Sequence, residues 1–240
     1  MRHTHQKIQP HWHTVVHRFP GARDCLASFL AYESAEILAG VKPASLINLV
    51  NRPHHCGRNF YRLWKECGPA LLKKSGLVGR ELVDRGDSLL LLVHDPSLLD
   101  GLLHRPATRA MLHRAGYALT GGTAAVLTEL QERCRAGEGF PHEIGIFLGY
   151  PLKDVAAFLG WAAIPFTVQG PWKIYGQPEK SLDLAASHQR CREHMVRKLA
   201  RCGRPEECLS APRKRLAFKD RKSTRLNSSH IPLSRMPSSA

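Results

Sequence analysis

The sequence predicts an α+β fold: a helix-rich single domain with a small mixed β-sheet. Three observations carry this reading. Several segments place apolar residues at helical spacing. Two short apolar runs are bounded by turn residues. A Gly-Pro turn separates two short β-rich stretches in the C-terminal third. The chain has 240 residues, 43% hydrophobic and 23% charged. That composition excludes collagen-like, coiled-coil and wholly disordered classes, and the length suffices for a real core. No run approaches the ~20 uninterrupted apolar residues of a membrane span. The longest candidate, residues 144–166, is broken by Lys153 and Asp154.

The elements follow in order. Residues 22–39 carry Leu26, Phe29, Leu30, Ile37 and Leu38 at helical spacing and stop at Gly40. Residues 42–51 (KPASLINLVN) read as a strand or extended turn. Residues 56–75 read as a helix despite Pro69, ended by Gly76. Residues 88–94 (SLLLLVH), bounded by Gly86–Asp87 and Asp95–Pro96, read as a buried strand. Three short helices are expected over 96–103, 106–114 and 121–135, the first two opening with proline in the first turn. Residues 140–151 (FPHEIGIFLGYP) are apolar and glycine-punctuated, as in a buried strand or tight loop. A short helix is expected over 151–159. Residues 166–168 and 172–175 flank Gly170–Pro171 as a small hairpin, and residues 178–202 form the last helix.

The ends differ from the body. Residues 1–19 hold five histidines and are expected to be a disordered extension. Residues 20–202 form the globular domain, and 203–219 a basic tail. Asp220–His230 (DRKSTRLNSSH) and Ser234–Ala240 (SRMPSSA) resemble a one-frame translation of a common sequencing-library adapter. Residues 220–240 are therefore expected to be an adapter-derived, disordered artefact, and they enter no functional argument. The formal charge of +15 lies mainly in residues 1–20 and 190–240: residues 21–189 carry 18 bases against 16 acids. A basic field over the whole molecule, which would favour nucleic acid, is not a property of the domain.

Three places carry a family resemblance: residues 30–49 (LAYESAEILAGVKPASLINL), residues 140–160 (FPHEIGIFLGYPLKDVAAFLG), and residues 170–176 (GPWKIYG) followed by a helix with Arg190, Cys191 and Arg192. Together they resemble the bacterial family called domain of unknown function 3793. Gln169 departs from a cysteine expected in many relatives. The resemblance implies a bacterial, intracellular protein, with genes near those for iron transport and flavodoxin. It implies no established activity.

The residues themselves offer several candidate sites. Adjacent His142 and Glu143 supply an imidazole and a carboxylate, a possible base and orienter if a turn converges them. Glu33 on the first helix, with Lys42 and Ser45 beyond its end, offers an ion pair or anion site. Trp172, Lys173 and Tyr175 offer aromatic and cationic groups for a planar or anionic ligand. His188, Cys191 and His194 lie at three-residue spacing, but the outer pair sits too far around a helix for all three to meet one ion easily. Phosphate-loop, dinucleotide and HExxH patterns are absent, so the cofactor stays open. Seven cysteines without a CxxC pair point to reduced thiols in a cytoplasm. The leading expectation is a cytoplasmic binding or accessory protein linked to iron or redox metabolism. The alternatives are a small-molecule enzyme using His142 and Glu143, or a nucleic-acid binder acting through the basic C-terminal helix.

Overall fold

The computed structural model describes residues 11–136 and 139–210. Its elements are Ala22–Glu33 (α1), Ala35–Leu38 (α2), Ala44–Val50 (β1), Phe60–Ser75 (α3), Val78–Asp84 (β2), Ser88–His94 (β3), Pro96–Leu103 (α4), Pro106–Arg114 (α5), Gly122–Arg135 (α6), Ile144–Phe147 (α7), Leu152–Phe158 (α8), Phe166–Gln169 (β4), Lys173–Tyr175 (β5), Glu179–Leu199 (α9) and Pro205–Ser210 (α10). The fold is α+β and helix-rich, as the periodicity predicts. The sheet is not mixed. β1, β3 and β2 lie side by side in that order, every ladder is antiparallel, and β4 and β5 form a separate antiparallel hairpin.

The three-stranded sheet separates two cores. Leu89, Leu91 and Val93 of β3, with Ile47 and Leu49 of β1, face α1, α3, α9 and α10. Leu92 and Ala44 face the other way, toward α4 to α7. Alternate side chains on a strand point to opposite faces, and both faces of β3 are covered. This is why 88–94 reads as a continuous apolar run rather than an alternating one. Asp95 caps α4 by accepting from the amides of Ser97 (2.8 Å) and Leu98 (3.0 Å), and Pro96 opens that helix.

Several expectations are corrected. Trp12 inserts into the first core, donates to Ser28 Oγ at 3.0 Å and meets Phe29 and Phe60 edge-on, so residues 12–19 belong to the packed unit rather than to a disordered extension. Residues 205–210 are not tail: they form α10, whose Cys208 and Leu209 are buried in the first core beside α1 and α3. The adapter-like residues 220–240 lie outside the described residues. The helix expected over 22–39 breaks at Ser34 into α1 and α2. Residues 140–151 contain a one-turn helix, α7, rather than a strand. The strand β2 was not predicted, because Gly79, Arg80 and Glu81 disguise it. Glu81 is held from outside the sheet, accepting from Trp64 Nε1 at 2.7 Å and Lys65 Nζ at 2.6 Å.

Candidate functional site

α2 ends at Gly40, whose positive φ of 72° closes the helix, and the amides of Val41 and Lys42 both donate back to the Glu36 carbonyl. This turn sets Lys42 at the entry to β1. Lys42 is buried, yet it has no hydrogen-bond or ion-pair partner among the described residues; its ammonium lies 5.7 Å from the centre of the Tyr150 ring. Burial pulls its pKa down, against the opposing pull of Glu36 and Glu33.

Opposite stands Arg192 on α9. Its Nε donates to Glu36 Oε1 at 2.7 Å, a second nitrogen lies 3.4 Å from Glu33 Oε2, and its guanidinium lies over the Tyr32 ring at 5.1 Å. Burial raises the Glu33 pKa more than Arg192 lowers it. Three buried polar atoms beside this pair have no hydrogen-bond partner among the described residues: Glu36 Oε2, Ser45 Oγ and His188 Nε2. All three side chains, with Lys42, Arg192, Tyr32 and Tyr150, line one cavity of about 450 Å³. Burial and the charge of Lys42 hold His188 down, at about 4, so its imidazole is neutral.

A second cavity of about 260 Å³ adjoins the first and shares Leu46, Leu148 and Tyr150 with it. Its walls are mainly apolar: Ile144, Val155, Phe158, Phe140 and Trp172. Trp172 stacks on Tyr150 with 4.6 Å between ring centres. Asp154 fixes this wall. It is buried and accepts from Trp172 Nε1 (2.9 Å), Ser181 Oγ (2.7 Å), the Tyr175 amide (3.0 Å) and Lys153 Nζ (2.7 Å). Burial opposes its ionisation, but those four donors hold its pKa below the ordinary carboxylate range. Gly149 joins the two walls at φ 74°, where a Cβ would come within 2.7 Å of Pro43 Cδ.

The predicted candidates separate. Lys42 and Ser45 converge with His188 around the polar cavity, whereas Glu33 lines a neighbouring cavity beside Phe29 and joins the polar one only through its contact with Arg192. His142 and Glu143 do not converge. His142 lines the apolar cavity beside Phe158, whereas Glu143 turns away to accept from Tyr117 Oη at 3.1 Å and Arg133 at 3.4 Å. Trp172 and Lys173 line the apolar cavity; Tyr175 stands outside it, its amide bound to Asp154. His188, Cys191 and His194 do not form one site: Cys191 is buried in the first core, where burial pushes its thiol up to about 12, and His194 lies outside the cavity that His188 lines. No group of three potential metal ligands occurs among the described residues. The basic face of α9 is also partly committed, since Arg192 serves two glutamates. Sequence reasoning missed Glu36, one helical turn beyond Glu33, and Arg192 as its partner. The three-residue spacing of the two acids was the available signal.

The fold and site define an α+β protein with a two-chambered cleft, polar at one end and apolar at the other. The model of a family described as "Protein of unknown function (DUF3793)" matches residues 30–209, and the chain belongs to that family. The matched span contains every cleft residue named above. No curated protein and no solved structure matches the chain.

Proposed function

We propose that this chain is a binding protein whose cleft takes a small hydroxy- or amino-carboxylate with an apolar body. The observation that carries the reading is the convergence on one cavity of buried Lys42 with Glu36 Oε2, Ser45 Oγ and His188 Nε2, three buried atoms without a hydrogen-bond partner among the described residues. Buried polar groups are normally satisfied. A carboxylate supplies the acceptor that Lys42 needs, and an adjacent hydroxyl or amine supplies the donor that Glu36 Oε2 needs. The apolar body then lies against Tyr150, Trp172 and Phe158. A bacterial, cytoplasmic accessory role near iron or redox metabolism enters this proposal from the family resemblance.

Thermal shift with the full chain tests it, using phenyllactate and phenylalanine as probes and phenylpropionate, which lacks the donor, as control. The first two are expected to raise the melting temperature more than the control, because a ligand that binds only the folded state stabilises it. Lys42→Met should abolish the shift. Equal shifts from all three probes, or no shift from any, would contradict the reading.

A further inference from the structure

The two edges of the three-stranded sheet are treated differently. Along β2 a bulge falls between Glu81 and Val83, and α6 covers the edge: Gln131 Nε2 donates to the Glu81 carbonyl, and Arg135 Nε to that of Leu82 at 3.1 Å. This is the usual protection of an edge strand.

β1 lacks that cover. The Asp95 amide donates to the Pro43 carbonyl at 3.0 Å, and the Asn51 amide to the Asp87 carbonyl at 2.7 Å. With the register from Ala44↔His94 to Val50↔Ser88, these two bonds fix the parity of the ladder. Odd-numbered residues of β1 bond to β3, and even-numbered ones turn their main chain outward. The amides and carbonyls of Leu46 and Asn48 therefore face the open edge, with no partner among the described residues. The Val50 amide faces it too, while its carbonyl accepts from the Arg52 amide at 2.8 Å.

This edge is the floor of a groove. Leu46 lines both chambers of the cleft and a third cavity of about 330 Å³, which Asn48 also lines. Arg52 flanks the far end of this groove, and Arg85, in the turn between β2 and β3, lines a separate cavity that Asn48 also lines; neither is ion-paired with an acid among the described residues.

We propose that an extended, acidic segment of a partner polypeptide adds to β1 as a fourth strand, pairing with Leu46 and Asn48 and meeting Arg52 and Arg85 with its acidic side chains. Main-chain hydrogen bonds would supply affinity, and the cavities on either side of the strand would receive alternate side chains. A second copy of this chain fits less well. The walls that flank β1, such as Phe29 on one side and Phe140 on the other, would meet the same walls of the copy. The inference does not rest on Lys42 and stands apart from the small-molecule reading.

The test selects short random displayed peptides on the full chain. Enriched peptides are expected to be acidic, to lose affinity as salt rises, and to slow hydrogen exchange of the Leu46 and Asn48 amides in the wild-type protein. Asn48→Pro removes an outward amide without touching the β3 ladder, a position where proline is tolerated. It should weaken binding about tenfold, roughly the worth of one main-chain hydrogen bond at the upper end of its range. Asn48→Ala should bind normally. Lys42→Met should leave peptide binding intact, which separates this proposal from the small-molecule one. No enrichment would overturn the proposal, as would protection confined to other amides or full affinity in a folded Asn48→Pro variant. Protection of the same amides in a peptide-free dimer would assign the edge to a second copy and overturn it as well.

Discussion

The molecule contains the same charge arrangement twice. Arg133 on α6 lies between Glu129 and Glu143 with its guanidinium 3.9 Å from the centre of the Tyr117 ring; Arg192 on α9 lies between Glu33 and Glu36 over Tyr32. The first cluster is closed. Arg133 also donates to the Ala115 carbonyl at 2.7 Å, and the Tyr117 hydroxyl donates to Glu143. The second cluster opens on a cavity and, among the described residues, leaves Glu36 Oε2 without a hydrogen-bond partner beside Lys42, Ser45 and His188. One arginine between two glutamates fastens α6 to the loop before α7. The other positions polar groups whose hydrogen-bonding capacity the fold leaves unused. The difference lies in the neighbours rather than in the motif.

Substitutions can break this comparison. Arg192→Met leaves Glu33 and buried Glu36 without their cation, and is expected to lower stability by about 3–5 kcal/mol in denaturant unfolding. Arg133→Met should cost less, about 1–3 kcal/mol, because Glu129 and Glu143 are less deeply buried than Glu36. An equal loss from the two would erase the distinction. Gly149→Ala imposes a strained φ and a 2.7 Å contact with Pro43; about 1–3 kcal/mol of stability should go, together with affinity for the probe, because Pro43 carries Lys42. Lys42→Met should change stability by less than about 1 kcal/mol, in either direction, since it removes a buried charge without an ion-pair partner. It should nevertheless abolish probe binding.

The smallest effect is a pH dependence. His188 is held at about 4, below the ~6.5 of a free imidazole. The folded state binds that proton less well than the unfolded chain does. The penalty is absent above the unfolded value and grows as pH falls from about 6.5 toward 4. His188→Phe should flatten the stability profile in that window. An unchanged slope would show that other groups carry it.

Much of the architecture was legible. Pro96 and Pro106 opened helices where their fixed φ suits a first turn, and Gly40 and Gly76 closed them. The β3 run announced itself because both its faces are buried. What failed to show had physical reasons. A single buried tryptophan, Trp12, anchors a segment whose composition reads as solvated. α7 is one buried turn, too short to display a period. β2 carries Arg80 and Glu81, whose charges are met by α6 and α3. Asp154 looked only like an interruption in an apolar run, yet Trp172, Tyr175 and Ser181 converge on it from distant positions and join the adjacent Lys153. The site was half legible: Lys42, Ser45, Glu33 and His188 stood out as chemistry, but their convergence with Glu36 and Arg192 depends on packing α9 against α2, which no local pattern encodes.

The central claim is that the Lys42 cavity, and not the Arg133 cluster, is a binding site. Calorimetric titration of phenyllactate into the wild type, Lys42→Met and Arg133→Met tests it directly. The account predicts saturable heat for the wild type and for folded Arg133→Met, and none for folded Lys42→Met. Saturable heat of equal affinity in Lys42→Met would contradict it.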